Sequence, residues 1–161
     1  LKNVLARLQA EAPPKQDDVL QSTILASGPD WTKLYLKLQR TKFVTVVYNT
    51  EHLVKYSHQS PTRASSASIA TKIAELTDPG TPQERELPQG DDRGFLWRLN
   101  AYWRYEAVAG GVIAECESIS LSRDIPYGFR YLVRPMVNSA ARESMERALG
   151  SLRARFTVRG A

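Results

Sequence analysis

Two histidines, His52 and His58, and one cysteine, Cys116, are the side chains best suited to metal or nucleophile chemistry. On an extended strand His52 and His58 would share a face about 20 Å apart. That separation is too long for both to hold one metal ion, and both read as exposed strand residues. No HExxH, CxxC or Walker-type spacing occurs. One cysteine makes neither an intrachain disulfide nor a Cys-rich zinc site. No metal or other cofactor is expected. A hydrolytic triad would need a serine or Cys116 beside a histidine and a carboxylate, and no spacing supports one. Cys116 reads as a small core residue.

A second set with possible chemistry is Arg98, Arg104, Glu115 and Glu117. These lie on two runs, Phe95 to Ala107 and Val112 to Arg123, that read as a hairpin turning near Ala109-Gly110-Gly111. A two-residue turn at Ala109-Gly110 sets Arg104 opposite Glu115 with no like charges facing. A turn at Gly110-Gly111 would set Glu106 against Glu115 and Arg98 against Arg123. The first register is therefore expected. It sorts the hairpin into two faces. One carries Trp97, Leu99, Ala101, Trp103 and Tyr105 opposite Ala114, Cys116, Ser118 and Ser120. The other carries Arg98, Asn100, Tyr102 and Arg104 opposite Glu115, Glu117, Ile119 and Leu121. Burying the aromatic face gains more than burying paired charges, so the aromatic face is expected inside and the charged set outside.

The elements that must position these residues follow from periodicity. Leu1, Val4, Leu5 and Leu8 recur at helical spacing up to Glu11, and Pro13-Pro14 ends the run. Val19 to Ala26 reads as a strand, and Ser27-Gly28-Pro29-Asp30 as a turn. Trp31 to Tyr48 alternates and then turns β-branched, which predicts two strands or one strand with a bulge near Arg40 to Lys42. Leu53 to His58 and Arg63 to Leu76 are further strands. The second has a face of small residues, Ala64, Ser66, Ser68 and Ala70. Thr77 to Arg93 reads as the one long loop. Ile125 to Val137 is a connector with apolar and helical character. Asn138 or Ser139 would cap a helix over 139–158. Its apolar residues Met145, Ala148, Leu149, Leu152 and Phe156 fall within roughly a 100° arc.

The 161 residues suffice for one ordinary domain. Apolar content of 42% and charged content of 24% fit a globular chain rather than a disordered one. The net charge of +5 is uneven, with eight arginines against three acidic residues beyond residue 122. That basic quarter could meet phosphate, headgroups or nucleic acid. The arginines scatter around the helix and the aromatics pair with small residues, which argues against nucleic acid as a partner.

The stretch DPGTPQERELPQGDDRGFLWRLNAYWRYEAVAGGVIAECESISLSRDIP (Asp78–Pro126), followed by RPMVNSAARESMERAL (Arg134–Leu149), resembles a bacterial group of unassigned function. That group belongs to the START-like, helix-grip superfamily of lipid-transfer and polyketide cyclase-like proteins. TKFVTVVYNTEHLVKY (Thr41–Tyr56) shares the resemblance. It implies an α+β helix-grip fold over residues 1–161, in which a curved antiparallel β-sheet wraps a long C-terminal α-helix beside an apolar tunnel. It also implies a strand before the first helix, which this chain does not contain. An export signal upstream of Leu1 would imply a periplasmic or secreted protein, and its absence a cytoplasmic one. The resemblance carries no catalytic motif.

Together these readings predict a protein that binds or transfers a hydrophobic or amphipathic small molecule. The expected ligand-binding residues are Trp97, Leu99, Trp103, Tyr105, Cys116, Ser118, Met145, Leu149 and Leu152. The 77–93 loop would lie near an entrance, and the basic segment would meet anionic membrane surfaces transiently. One alternative is a cyclase or hydrolase using Arg98, Arg104, Glu115 and Glu117 in the same cavity. Another is a ligand-free interaction module with a filled core.

Overall fold

Alternation of apolar and polar residues from Val19 to Leu121 is written into a single antiparallel run of strands. A computed structural model describes residues 1–41, 45–93, 96–122 and 130–157, and beyond residue 129 the side chains of 139 and 141–157. It is α+β: an open antiparallel sheet of seven strands and a C-terminal helix. The chain divides into two compact units, Leu1–Arg123 and Asp124–Ala161.

The first unit opens with helix α1, Lys2–Ala10. Six strands then follow in spatial order: β1 (Val19–Gly28), β2 (Trp31–Thr41), β3 (Thr45–Ser60), β4 (Arg63–Thr77), β6 (Arg98–Val108) and β7 (Gly111–Leu121). A two-residue strand, β5 (Arg85–Glu86), pairs with the end of β4 off this path. Every pairing is antiparallel; the short connections of β1–β2, β2–β3, β3–β4 and β6–β7 require this of those pairs, and β4–β6 is joined by the long loop. Thr41 pairs with Thr45, so the run from Trp31 to Tyr48 is two strands.

One expectation is corrected in β3. The strand runs without a break from Thr45 to Ser60, not from Leu53. The polar stretch Asn49-Thr50-Glu51 hides this in the sequence. In the fold it is paired on both sides, with Lys37, Leu36 and Tyr35 of β2 and with Ala74, Ile73 and Lys72 of β4. The irregularity falls in β4 instead, where Thr71 is the extra residue between Ala70 opposite His52 and Lys72 opposite Glu51.

Residues directly opposite in an antiparallel pair project to the same face. One face of the sheet therefore collects Leu34, Leu36 and Leu38 of β2, Tyr48, Thr50, His52, Val54 and Tyr56 of β3, Ala64, Ser66 and Ser68 of β4, and Trp103 and Tyr105 of β6. Most of the buried residues of this unit lie here. The helix α1 packs over one end of this face through its buried Leu5. Its last carbonyls, which have no partner within the helix, take donors from the sheet. Tyr56 Oη donates to the Leu8 carbonyl and Thr32 Oγ1 to the Gln9 carbonyl, each at 3.4 Å. Ser22 Oγ donates to the Pro13 carbonyl, so the connector after Pro13-Pro14 is tied to the β1 edge.

The other face carries charge. Lys37 Nζ meets Glu84 and Lys72 Nζ meets Glu86, both at 2.7 Å. Asn49 Nδ2 donates to Glu86 Oε1 at 2.9 Å. Residues 78–87 are thus folded back across β2, β3 and β4. Asp78, at φ 48°, makes the reversal directly after β4. Hydrogen bonds from Lys37 and from the Gly80 amide hold the Glu84 carboxyl below the usual range, and those from Lys72 and Asn49 do the same for Glu86.

The second unit is helix α2, Arg130–Phe156. It begins nine residues before the expected Ser139 start, so neither Asn138 nor Ser139 is its cap, and it ends two residues short of 158. Pro135 lies in the second turn and removes one backbone donor from it. The connector before Arg130 lies outside the described residues. Met145, Ala148, Leu152 and Phe156 are half-buried and Leu149 is exposed. Arg142 pairs with Glu146 at 2.8 Å and Arg147 with Glu143 at 3.9 Å along the helix surface. No described helix is long and apolar enough to cross a membrane.

Candidate ligand-binding face

The β6–β7 hairpin adopts the register that places Arg104 opposite Glu115, with Val108 opposite Gly111 around the turn. Gly110, at φ 82°, takes the left-handed position of that turn. This register puts Leu99, Trp103, Tyr105, Cys116 and Ser118 on one face, the face that continues into Ser66 and Ser68.

Rows across the sheet show what these residues make together. Tyr56, Ser66, Trp103 and Cys116 form one row, and Val54, Ser68, Ala101 and Ser118 the next. The second row is nearly bare of side-chain bulk beyond Val54. It runs between Trp103 on one side and Leu99 on the other. Trp103 and Tyr105 lie parallel, with ring centroids 6.3 Å apart and planes 4° apart. We term this band of small residues, beside the stacked rings of Trp103 and Tyr105, the trough.

Polar groups line the floor beyond the trough. Tyr105 is buried, and its hydroxyl lies 3.3 Å from Ser66 Oγ. Burial is the main cause that pushes the Tyr105 phenol up to about 12. His52 is only 3% exposed, which corrects the reading of an exposed strand histidine. The extended β3 turns it to the buried face, whereas His58 near the strand end is exposed. Its Nδ1 lies 3.4 Å from Ser68 Oγ and its Nε2 lies 3.0 Å from Thr50 Oγ1. Thr50 Oγ1 donates to the Leu36 carbonyl at 2.9 Å. Burial lowers the His52 pKa to about 4, so the ring is neutral at pH 7. Among the described residues no group of three or more His, Cys, Asp or Glu could hold a metal ion.

Two expected residues sit less deeply than the sequence implies. Trp97 precedes β6, and its backbone continues the ladder by donating to the Leu121 carbonyl at 2.7 Å, yet the residue is 52% exposed. Ser118 is exposed on the edge strand β7. Cys116 is half-buried, and burial raises its thiol pKa to about 11. Met145, Leu149 and Leu152 share one side of α2 at spacings of four and three.

No family model, curated protein or solved structure matches this chain.

The charged set occupies the opposite face. Arg104 reaches Glu115 at 3.7 Å and Glu117 at 3.8 Å, with side-chain exposures of 70%, 68% and 63%. These are solvated surface pairs. Arg98 lies on the same face, opposite Leu121, and is also exposed. A single surface of the sheet does not present both this set and Trp103 with Tyr105.

Alternation sorted the hairpin into its aromatic and charged faces and missed the polar residues of β3 that share the aromatic face. The signal was present: Tyr48, Thr50, His52, Val54 and Tyr56 alternate with period two. Reading the strand as beginning at Leu53 cut that series in half.

Proposed function

We propose that the chain binds a hydrophobic or amphipathic small molecule on the aromatic face of the sheet. The observation that carries this reading is the row Ser68, Ala101 and Ser118 running between Trp103 and Leu99. A sheet face meant only to be filled usually packs large residues against each other, whereas large aromatics beside small residues leave room for a guest. The aromatic wall supplies apolar area, and the buried hydroxyls of Tyr105 and Ser66 offer a polar anchor.

The helix-grip fold, which the resemblance of Asp78–Leu149 to START-like proteins implies, belongs to the same proposal. Binding or transfer without catalysis is the favoured activity. The charged set that a cyclase or hydrolase would use lies on the other face of the sheet, away from the trough.

Two experiments test these parts separately. Titrating the protein with 1-anilinonaphthalene-8-sulfonate should give saturable fluorescence enhancement, and Trp103→Ala should weaken it. No saturable uptake of this probe or of any lipid in native mass spectrometry would end the binding account. A crystal structure of the chain should show the helix-grip fold. Any other fold would remove that part of the proposal while leaving the trough itself open to test.

A further inference from the structure

The two edges of the sheet differ. β1 is blunted: register shifts break its ladder, and the preceding connector is tied to it by the Ser22 hydrogen bond and the Gln16–Val19 bridge. β7 has neither device. It runs from Gly111 to Leu121 without a register shift, a proline or a lysine, and β6 is its only strand neighbour among the described residues. Its charges, Glu115 and Glu117, point to the charged face and are held by Arg104. In a two-residue turn the closing pair exchanges hydrogen bonds, and every second pair after it does the same. Val108 and Gly111 close this turn. The odd-numbered residues of β7 therefore bond to β6, and Leu121 keeps to the pattern by accepting from Trp97. The amides and carbonyls of Val112, Ala114, Cys116, Ser118 and Ser120 point out along the open edge. From Glu117 to Leu121 the side chains are exposed on both faces as well.

We infer that this edge pairs with the β7 edge of a second copy of the chain, antiparallel about a two-fold axis at Ser118. The charges of the strand choose the register. Centring the pair on Cys116 sets Glu115 against Glu117 twice, and centring it on either glutamate sets that carboxylate against itself. Centring it on Ser118 opposes no like charges: Glu117 meets Ile119, Glu115 meets Leu121 and Cys116 meets Ser120. A centre at Ala114 also avoids them, but it sets Gly111 against Glu117 and leaves Ile119 and Leu121 outside the pairing. The Ser118 register instead covers the segment that is exposed on both faces, including the apolar side chains of Ile119 and Leu121. A strand paired with its own copy is complementary by symmetry, and the blunted β1 edge stops the association at two. The axis stands perpendicular to the sheet, so the aromatic faces of the two copies lie side by side. None of this depends on the trough binding a guest.

Sedimentation velocity on the full chain should show a monomer–dimer equilibrium with a dissociation constant of roughly 10–100 µM, the weak association that suits a single strand pair. Ser118→Pro removes a donor that points away from β6, so it spares the hairpin while deleting both hydrogen bonds at the axis. Dimerisation should weaken at least about tenfold. Ser118→Lys sets two ammonium groups across the axis, and the weakening it causes should be largely reversed in about 0.5 M salt. Ser118 is exposed, so both variants are compatible with the fold of the single chain. The register has its own readout. Cys116→Ser combined with Ser118→Cys should give a disulfide-linked dimer on mild oxidation, and the unmodified chain, with Cys116 opposite Ser120, should not. A monomer at every concentration up to about 500 µM would overturn the inference. So would a dimer that neither Ser118 variant weakens, or a disulfide that forms as readily through Cys116 in the unmodified chain.

Discussion

His52 is held on both ring nitrogens by hydroxyls and shielded from water, and this makes it a brake on stability at low pH. In the unfolded chain it takes up a proton near its ordinary 6.5, and in the folded protein only near 4. Between these values the unfolded state binds more protons. The contribution is thus fully present above about 6.5 and is lost as pH falls toward 4. The protein should lose about 2 kcal/mol more between about pH 7 and about pH 5 than His52→Gln does, measured by urea unfolding. Parallel profiles for the two proteins would contradict the buried neutral ring. Glu75 is the other buried ionisable residue of note. It is 1% exposed and faces Tyr48, and its carboxylate accepts from Arg93 Nε and, at 3.2 Å, from the Arg93 amide. Burial, with the nearby Glu75 carboxylate adding to it, raises the Tyr48 phenol well above its ordinary value. Glu75→Ala should cost on the order of 2 kcal/mol, less than a fully buried pair because Arg93 is half-exposed. Thermal unfolding reads this directly.

At the scale of elements, the hairpin and the returning loop make distinct predictions. Gly110 holds the left-handed turn position, so Gly110→Ala should destabilise the β6–β7 hairpin by about 1 kcal/mol. A neutral or stabilising result in chemical denaturation would mean the turn is not formed this way. The loop following β4 is held to the charged face by Lys37, Lys72 and Asn49. Because the Glu84 and Glu86 carboxyls are held low, their bonds persist above the ordinary carboxylate range and give way only as pH falls below it. Lys37→Met should raise amide exchange across residues 78–87 and leave β3 and β4 protected. Equal protection in both proteins would show that the ion pairs do not tether the loop. The clearest elements in the sequence were those with unbroken alternation, as in β6 and β7. Charge pairing even selected their register, since like charges set opposite each other are unfavourable. The continuity of β3 was hidden because Asn49 and Glu51 are weak strand formers whose extended state comes from two neighbouring strands.

For the whole molecule, the two faces of the sheet divide the work. The charged face meets water, so Arg104→Ala should change stability by no more than about 0.5 kcal/mol and leave probe binding unaltered. A marked loss of binding in that variant would move the site to the wrong side of the sheet. The aromatic face carries the trough, the buried hydroxyls and the packing of α1, and variation there should alter binding and stability together.

Local chemistry alone determined much of this protein. Periodicity wrote the α+β order, the antiparallel pairing of consecutive strands and the sorting of the hairpin into aromatic and charged faces, because each depends on neighbours a few residues apart. Tertiary structure decided what depends on distant partners. His52 became a buried neutral ring only in the assembled sheet: Thr50, two residues away on the same strand, meets one nitrogen, and β4 brings Ser68, sixteen residues away, to the other. Burial and hydrogen-bond direction belong to the assembled sheet, and no single strand carries them.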